Sequence, residues 1–131
     1  MSTIKADTIQ NTSGGAVTLT DQTAAKAWVN FNGTGTVAVR DNFNVSSITD
    51  NGTGDYTVNF SSSFGNANYN LSAATKWQSG QEGFILSHNT NTTVTASAIR
   101  LINGVPGTNL STALTPRDET YIFALFHGDL A

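Results

Sequence analysis

From Trp28 onward the chain alternates short apolar and polar positions in runs broken by turn residues about every 8 to 12 positions, the pattern of an antiparallel sandwich or barrel. The clearest run places Tyr56, Val58 and Phe60 on one face and Thr57 and Asn59 on the other, which predicts a half-buried strand. Its partner is expected at residues 43–49, reached through Asp50-Asn51-Gly52-Thr53-Gly54-Asp55. Asn32-Gly33-Thr34-Gly35 likewise separates a strand at 27–31 from one at 36–40. Further strands are expected at 69–75, 83–88, 92–103 and 119–127, about eight in all.

Two of these runs break the simple alternation. In the closing run Tyr121, Phe123 and Leu125 share one side while Ile122, Ala124 and Phe126 share the other, so both sides are apolar. Such a strand belongs in the middle of a packed structure, or on a sheet whose outer face meets another subunit. In 92–103 the apolar parity switches from Val94, Ala96 and Ala98 to Ile99 and Leu101, which predicts a bulge or a bend between sheets.

The first 26 residues read differently. No aromatic precedes Trp28, and the apolar positions Ile4, Ile9, Val17 and Leu19 are spread through small and hydroxyl residues. Such a segment buries too little apolar area by itself to offset its ordering entropy, so it reads as an extended arm that needs a partner surface. Asp21 is placed to cap a short helical turn over 22–27. The expected organisation is an arm at 1–26 and an all-β, jelly-roll-like antiparallel sandwich at 27–131.

Composition narrows the partners. Of 131 residues only 11% are charged, against about 25% in ordinary domains, while 20 Thr, 12 Ser and 14 Asn make the surface neutral and hydroxyl-rich. Six basic residues are scattered against nine acidic ones, for a net charge of -3. Nucleic acid as a partner is therefore not expected, because displacing phosphate counterions needs a clustered positive stripe. The apolar run at 121–126 is far shorter than the roughly 20 residues a bilayer-spanning helix requires. Cysteine is absent, so no disulfide contributes.

The sequence offers little reactive chemistry. His88 and His127 are the available imidazole bases, and neither stands near a nucleophile signature; Ser61-Ser62-Ser63 lacks a Gly-x-Ser-x-Gly elbow. Asp118 and Glu119 are adjacent, so in a strand they face opposite ways and make a poor acid-base pair. The 50–55 segment carries oxygen ligands but not the order of a calcium loop, and reads first as a turn. No enzyme activity, cofactor or metal is expected. Trp77, with Gln78 and Gln81, and the nearby Asn89 and Asn91 lie in polar loops where a ring and amides could hold a sugar; the competing reading is that Trp77 covers the open end of the core.

Two stretches carry a resemblance: 3–11, Thr-Ile-Lys-Ala-Asp-Thr-Ile-Gln-Asn, and 25–33, Ala-Lys-Ala-Trp-Val-Asn-Phe-Asn-Gly, running on to Phe43-Asn44-Val45-Ser46-Ser47 and Tyr56-Thr57-Val58-Asn59-Phe60. They resemble segments of tail-fibre and related virion proteins of tailed bacteriophages, particularly those of aquatic hosts. The resemblance implies a β-rich homotrimer displayed on the virion and engaged in host attachment, contacting itself, other virion proteins and a host cell-surface glycan. A trimer gives the arm and the closing strand a surface to bury, which makes Ile4, Ile9, Val17, Leu19, Ile122 and Phe126 the expected subunit contacts. The alternatives are a capsid decoration protein and a free carbohydrate-binding lectin.

Overall fold

In a computed structural model of the chain, the described residues are 12–13, 25–76, 85–89, 92–106 and 114–129. They form nine strands: β1 (Ala25–Asn32), β2 (Ala38–Phe43), β3 (Val45–Gly52), β4 (Asp55–Phe60), β5 (Asn70–Thr75), β6 (Ile85–His88), β7 (Ala98–Val105), β8 (Thr115–Pro116) and β9 (Ile122–His127). One sheet has the order β2-β1-β9-β5 and the other β3-β4-β7-β6, with β8 also paired to β7. All pairings are antiparallel. None of the described residues is helical, and no helix long and apolar enough to cross a membrane occurs among them.

The core lies between the sheets. From the first come Ala27, Val29, Phe31, Ile122, Ala124 and Phe126; from the second come Val45, Tyr56, Val58, Phe60, Ile99 and Leu101, with Phe64 beside them. Edge-to-face rings hold its centre: Phe60 meets Phe126 at 5.0 Å and Phe64 at 4.9 Å, and Phe31 meets Tyr56 at 5.1 Å between centroids. That geometry aligns positive ring edges with negative faces and adds to the area term. The alternation expected for Tyr56, Val58 and Phe60 is the one observed.

Four departures from the sequence reading have local causes. The strand order is not a jelly roll, whose successive strands pass between sheets as nested Greek keys; here β1–β2, β3–β4 and β6–β7 are sequence neighbours within one sheet. Ala25–Ala27 is not a helical turn but the start of β1, where pairing with His127 and Phe126 of β9 outweighs helix propensity; Asp21 lies outside the described residues. The run at 43–49 is cut at Asn44, which adopts φ 55°. Its amide donates to Lys26 O and Ser62 O and its Oδ1 accepts from Ser62 N, so Phe43 ends β2 while Val45 opens β3 in the other sheet. Asparagine tolerates this left-handed conformation better than most residues. Finally, β7 begins at Ala98, preceded by a turn in which Thr95 Oγ1 accepts from Ala98 N.

The 50–55 segment is the β3–β4 turn. Gly52 and Gly54 have φ of 127° and 67°, and Asp50 Oδ1 accepts from Gly52 N at 2.9 Å. Gly54 has no substitute here, since a side chain would also collide with the Asn103 carbonyl where β8 takes over the row of β4 beside β7.

Candidate functional site

The two sheets turn very different outer faces to solvent. On the β3-β4-β7-β6 sheet the outward residues bond to one another. Asn59 Nδ2 donates to Ser47 Oγ and Thr49 Oγ1, both at 3.1 Å, and Asn51 Nδ2 donates to Thr57 Oγ1 at 2.9 Å. Arg100 grips Asp55 in a two-pronged pair of 2.7 and 2.8 Å, to which Asn89 Nδ2 adds a bond of 3.2 Å. This face satisfies itself.

The outer face of the β2-β1-β9-β5 sheet is aromatic. Trp28 projects from β1, Phe43 from β2, and Phe123 and Leu125 from β9, with Tyr121 just before β9. Phe123 is 41% exposed, Tyr121 42% and Phe43 53%. Tyr121 and Phe123 stack with centroids 6.2 Å apart and 18° between planes. Their neighbours on β5 are small, Ser72 and Ala74, and beside them on β1 stands the short Asn30. Large rings next to small side chains leave a groove of about 460 Å³, within the range of small-ligand sites. Asn30 Oδ1 in its lining is buried and has no hydrogen-bond partner.

Two cations lie over Tyr121, the ring that stacks on Phe123 of the groove wall. Lys76 follows β5, and its backbone N donates to Tyr121 O at 3.0 Å; its Nζ lies 5.9 Å from the Tyr121 centroid. Arg40 is the extra residue of a bulge in β2 between Asp41, opposite Asn30, and Val39, opposite Phe31. The bulge re-aims its guanidinium across β1 to 4.2 Å from the same centroid. Neither cation forms an ion pair with a carboxylate among the described residues.

A polar cluster closes one end of the core. Tyr56, fully buried, donates its hydroxyl to Asp118 Oδ1 at 2.6 Å, and the same oxygen accepts from Gly54 N at 2.7 Å. Burial, with the Asp118 hydrogen bond, pushes the Tyr56 hydroxyl far above its ordinary pKa. Asn103 Nδ2 donates to Arg117 O nearby, and Glu119 is buried. These groups tie the β3–β4 turn to the 117–119 segment. Among the described residues no three His, Cys, Asp or Glu side chains gather as a metal site would require.

Of the residues singled out from sequence, Ile4, Ile9, Val17, Leu19, Trp77, Gln78, Gln81 and Asn91 lie outside the described residues. Asn89 is described, and its backbone N donates to Arg100 O, so it belongs to the polar outer face. Ile122 and Phe126 are not surface contacts: both are fully buried between the sheets, and the side of β9 that remains open is Tyr121, Phe123 and Leu125. His88 and His127 end β6 and β9. Sequence reasoning missed Trp28, Asn30, Phe43 and Arg40 as parts of one face, because only the β1–β2 and β1–β9 pairings bring them together. Compared with family models, curated proteins and solved structures, the chain matches none of them.

Proposed function

We propose that this protein is a structural component of a bacteriophage virion, a small tail fibre or fibre-tip module that is displayed as a homotrimer and acts in host attachment. The observation that carries this reading is the open aromatic groove on one sheet of a sandwich whose other sheet is finished by its own hydrogen bonds. A module of this build presents one face for contact and keeps the rest inert, as a display protein needs. The resemblance of residues 3–11, 25–33 and 43–60 to tail-fibre segments supplies the virion setting.

Gold-labelled antibody against the chain, imaged on intact particles, tests the reading. Label at the tail or its fibres is the expected result. Label spread over the head would replace it with capsid decoration, and unlabelled particles would end the virion reading. Light scattering on the purified chain tests the trimer separately: a mass three times that of one chain is expected, and a monomer across concentrations would remove it.

A further inference from the structure

We propose that the outer face of the β2-β1-β9-β5 sheet binds a carboxylated polysaccharide, with uronic-acid residues seated in the groove between Trp28 and Phe123. The proposal rests on the attachment reading for its biological setting and on this face alone for its chemistry.

A pyranose ring has a flat apolar C–H side and a rim of hydroxyls, so its site needs an aromatic surface bordered by hydrogen-bonding groups. Phe123 offers an exposed ring and Trp28 a half-buried one across the groove, while the small Ala74 and Ser72 leave room between them and β5. Polar groups line this space from two strands, Asn30 on β1 and Ser72 on β5, and Asp41 of β2 pairs in register with Asn30. The Asn30 carbonyl oxygen is the most telling of these. It is buried without a partner, and a hydroxyl donor in the groove satisfies it once the amide turns about its terminal bond.

Charge selects the acidic class. The chain carries a net charge of -3, yet Arg40 and Lys76 both lie over Tyr121, the ring stacked on Phe123 of the groove, with no carboxylate paired to them among the described residues. Held over the ring, they keep N–H donors free for an anion, and the planar Arg40 fork matches a carboxylate in two prongs. Tyr121 is thus the cation platform and Phe123 the sugar platform. Charge also argues against a second copy on this face. Two copies meeting face to face would bring four cations together against one Asp41 from each, whereas an acidic chain of sugars neutralises them.

Affinity electrophoresis of the full chain through gels containing polygalacturonate, neutral galactan or phosphomannan tests this. Polygalacturonate is expected to retard the protein, with dissociation constants about tenfold weaker when Arg40→Gln and Lys76→Gln are combined, and weaker again as salt rises. Phe123→Ala and Ser72→Trp, one removing the platform and the other filling the groove, are each expected to abolish retardation with the melting temperature preserved. Asn59→Ala on the opposite sheet is expected to leave the retardation unchanged. Equal retardation by neutral galactan, preference for phosphomannan, or no retardation by any polymer would overturn the proposal. So would a change of molecular mass in Phe123→Ala without loss of polygalacturonate binding, which would make the face a subunit contact. Labelled virions with no polygalacturonate binding end this proposal and leave the attachment reading standing; binding with unlabelled virions does the reverse.

Discussion

The two sides of the β2-β1-β9-β5 sheet are made of similar amino acids and meet opposite fates. Inward stand Ala27, Val29, Phe31, Ile122, Ala124 and Phe126, all buried. Outward stand Trp28, Phe43, Phe123 and Leu125, with Tyr121 alongside, and no strand of this chain covers them among the described residues. Apolarity alone therefore does not identify a core; an opposing surface does. The second sheet supplies that surface on one side, with Phe60, Val58 and Tyr56 meeting the inward residues. The outer face of that second sheet shows the usual way of living without a partner, through hydrogen bonds among Ser, Thr and Asn.

The strongest test of this contrast is on the inward side. Phe126 packs against the rings of Phe60 and Tyr69, so Phe126→Ala removes contacts that the surrounding sheets cannot close over. A loss of about 3–5 kcal/mol is expected in denaturant unfolding. A much smaller loss would mean that β9 is oriented the other way, with Phe123 in the core.

Tyr56 comes next. Tyr56→Phe keeps the ring against Phe31 and removes only the hydroxyl bonded to Asp118, at an expected cost of about 1.5–3 kcal/mol because the acceptor is a carboxylate. The same group gives a pH signature. Burial pushes Tyr69 up to about 12 and raises Tyr56 further, whereas both titrate near 10 when unfolded. The folded state thus holds these protons more tightly, so the stability they confer is complete below about pH 10 and is lost as pH rises toward 12. Melting temperatures measured from pH 8 to 12 are expected to be flat and then to fall steeply, with a shallower fall in Tyr56→Phe. A flat profile through pH 12 would contradict the burial of both rings.

Much of this architecture was legible in the sequence, for a physical reason: a half-buried strand writes its period of two directly into the chain. β4 with its inward Tyr56, Val58 and Phe60 is the clear case, and the Asn32–Gly35 and Asp50–Asp55 turns marked their hairpins. What could not be read was parity where both sides are apolar. Ile122 and Phe126 were expected at a subunit contact and lie in the core, because β9 meets β1 from the opposite end of the chain and no local pattern records that pairing. The crossing at Asn44 was hidden for a similar reason, since its left-handed backbone is held by Lys26 and Ser62, 18 residues away on either side. The groove was hidden most deeply. It needs Ser72 and Ala74 to be small and beside β9, and the cation over Tyr121 needs the bulge in β2 to swing Arg40 there.

On the self-satisfied outer face a modest effect is expected. Asn59→Ala removes two cross-strand bonds in water, to Ser47 and Thr49, and is expected to cost about 0.2–1 kcal/mol. A larger loss would show that the ladder stabilises the sheet more than exposed pairs usually do.

The smallest change in stability is expected at a large side chain that stands open, Phe123. Phe123→Thr places a β-branched residue on the same strand and removes a ring that is 41% exposed, so equilibrium unfolding is expected to shift by no more than about 0.5 kcal/mol. Phe126, three positions along β9, costs several times as much, and this difference within one strand separates packing from display. The substitution is expected to act elsewhere: it opens the wall between Trp28 and Tyr121, so binding of an apolar fluorescent dye to the native protein falls. Unchanged dye binding together with a stability loss near that of Phe126→Ala would show that Phe123 is packed rather than presented, and the contrast between the two sides of the sheet would fail.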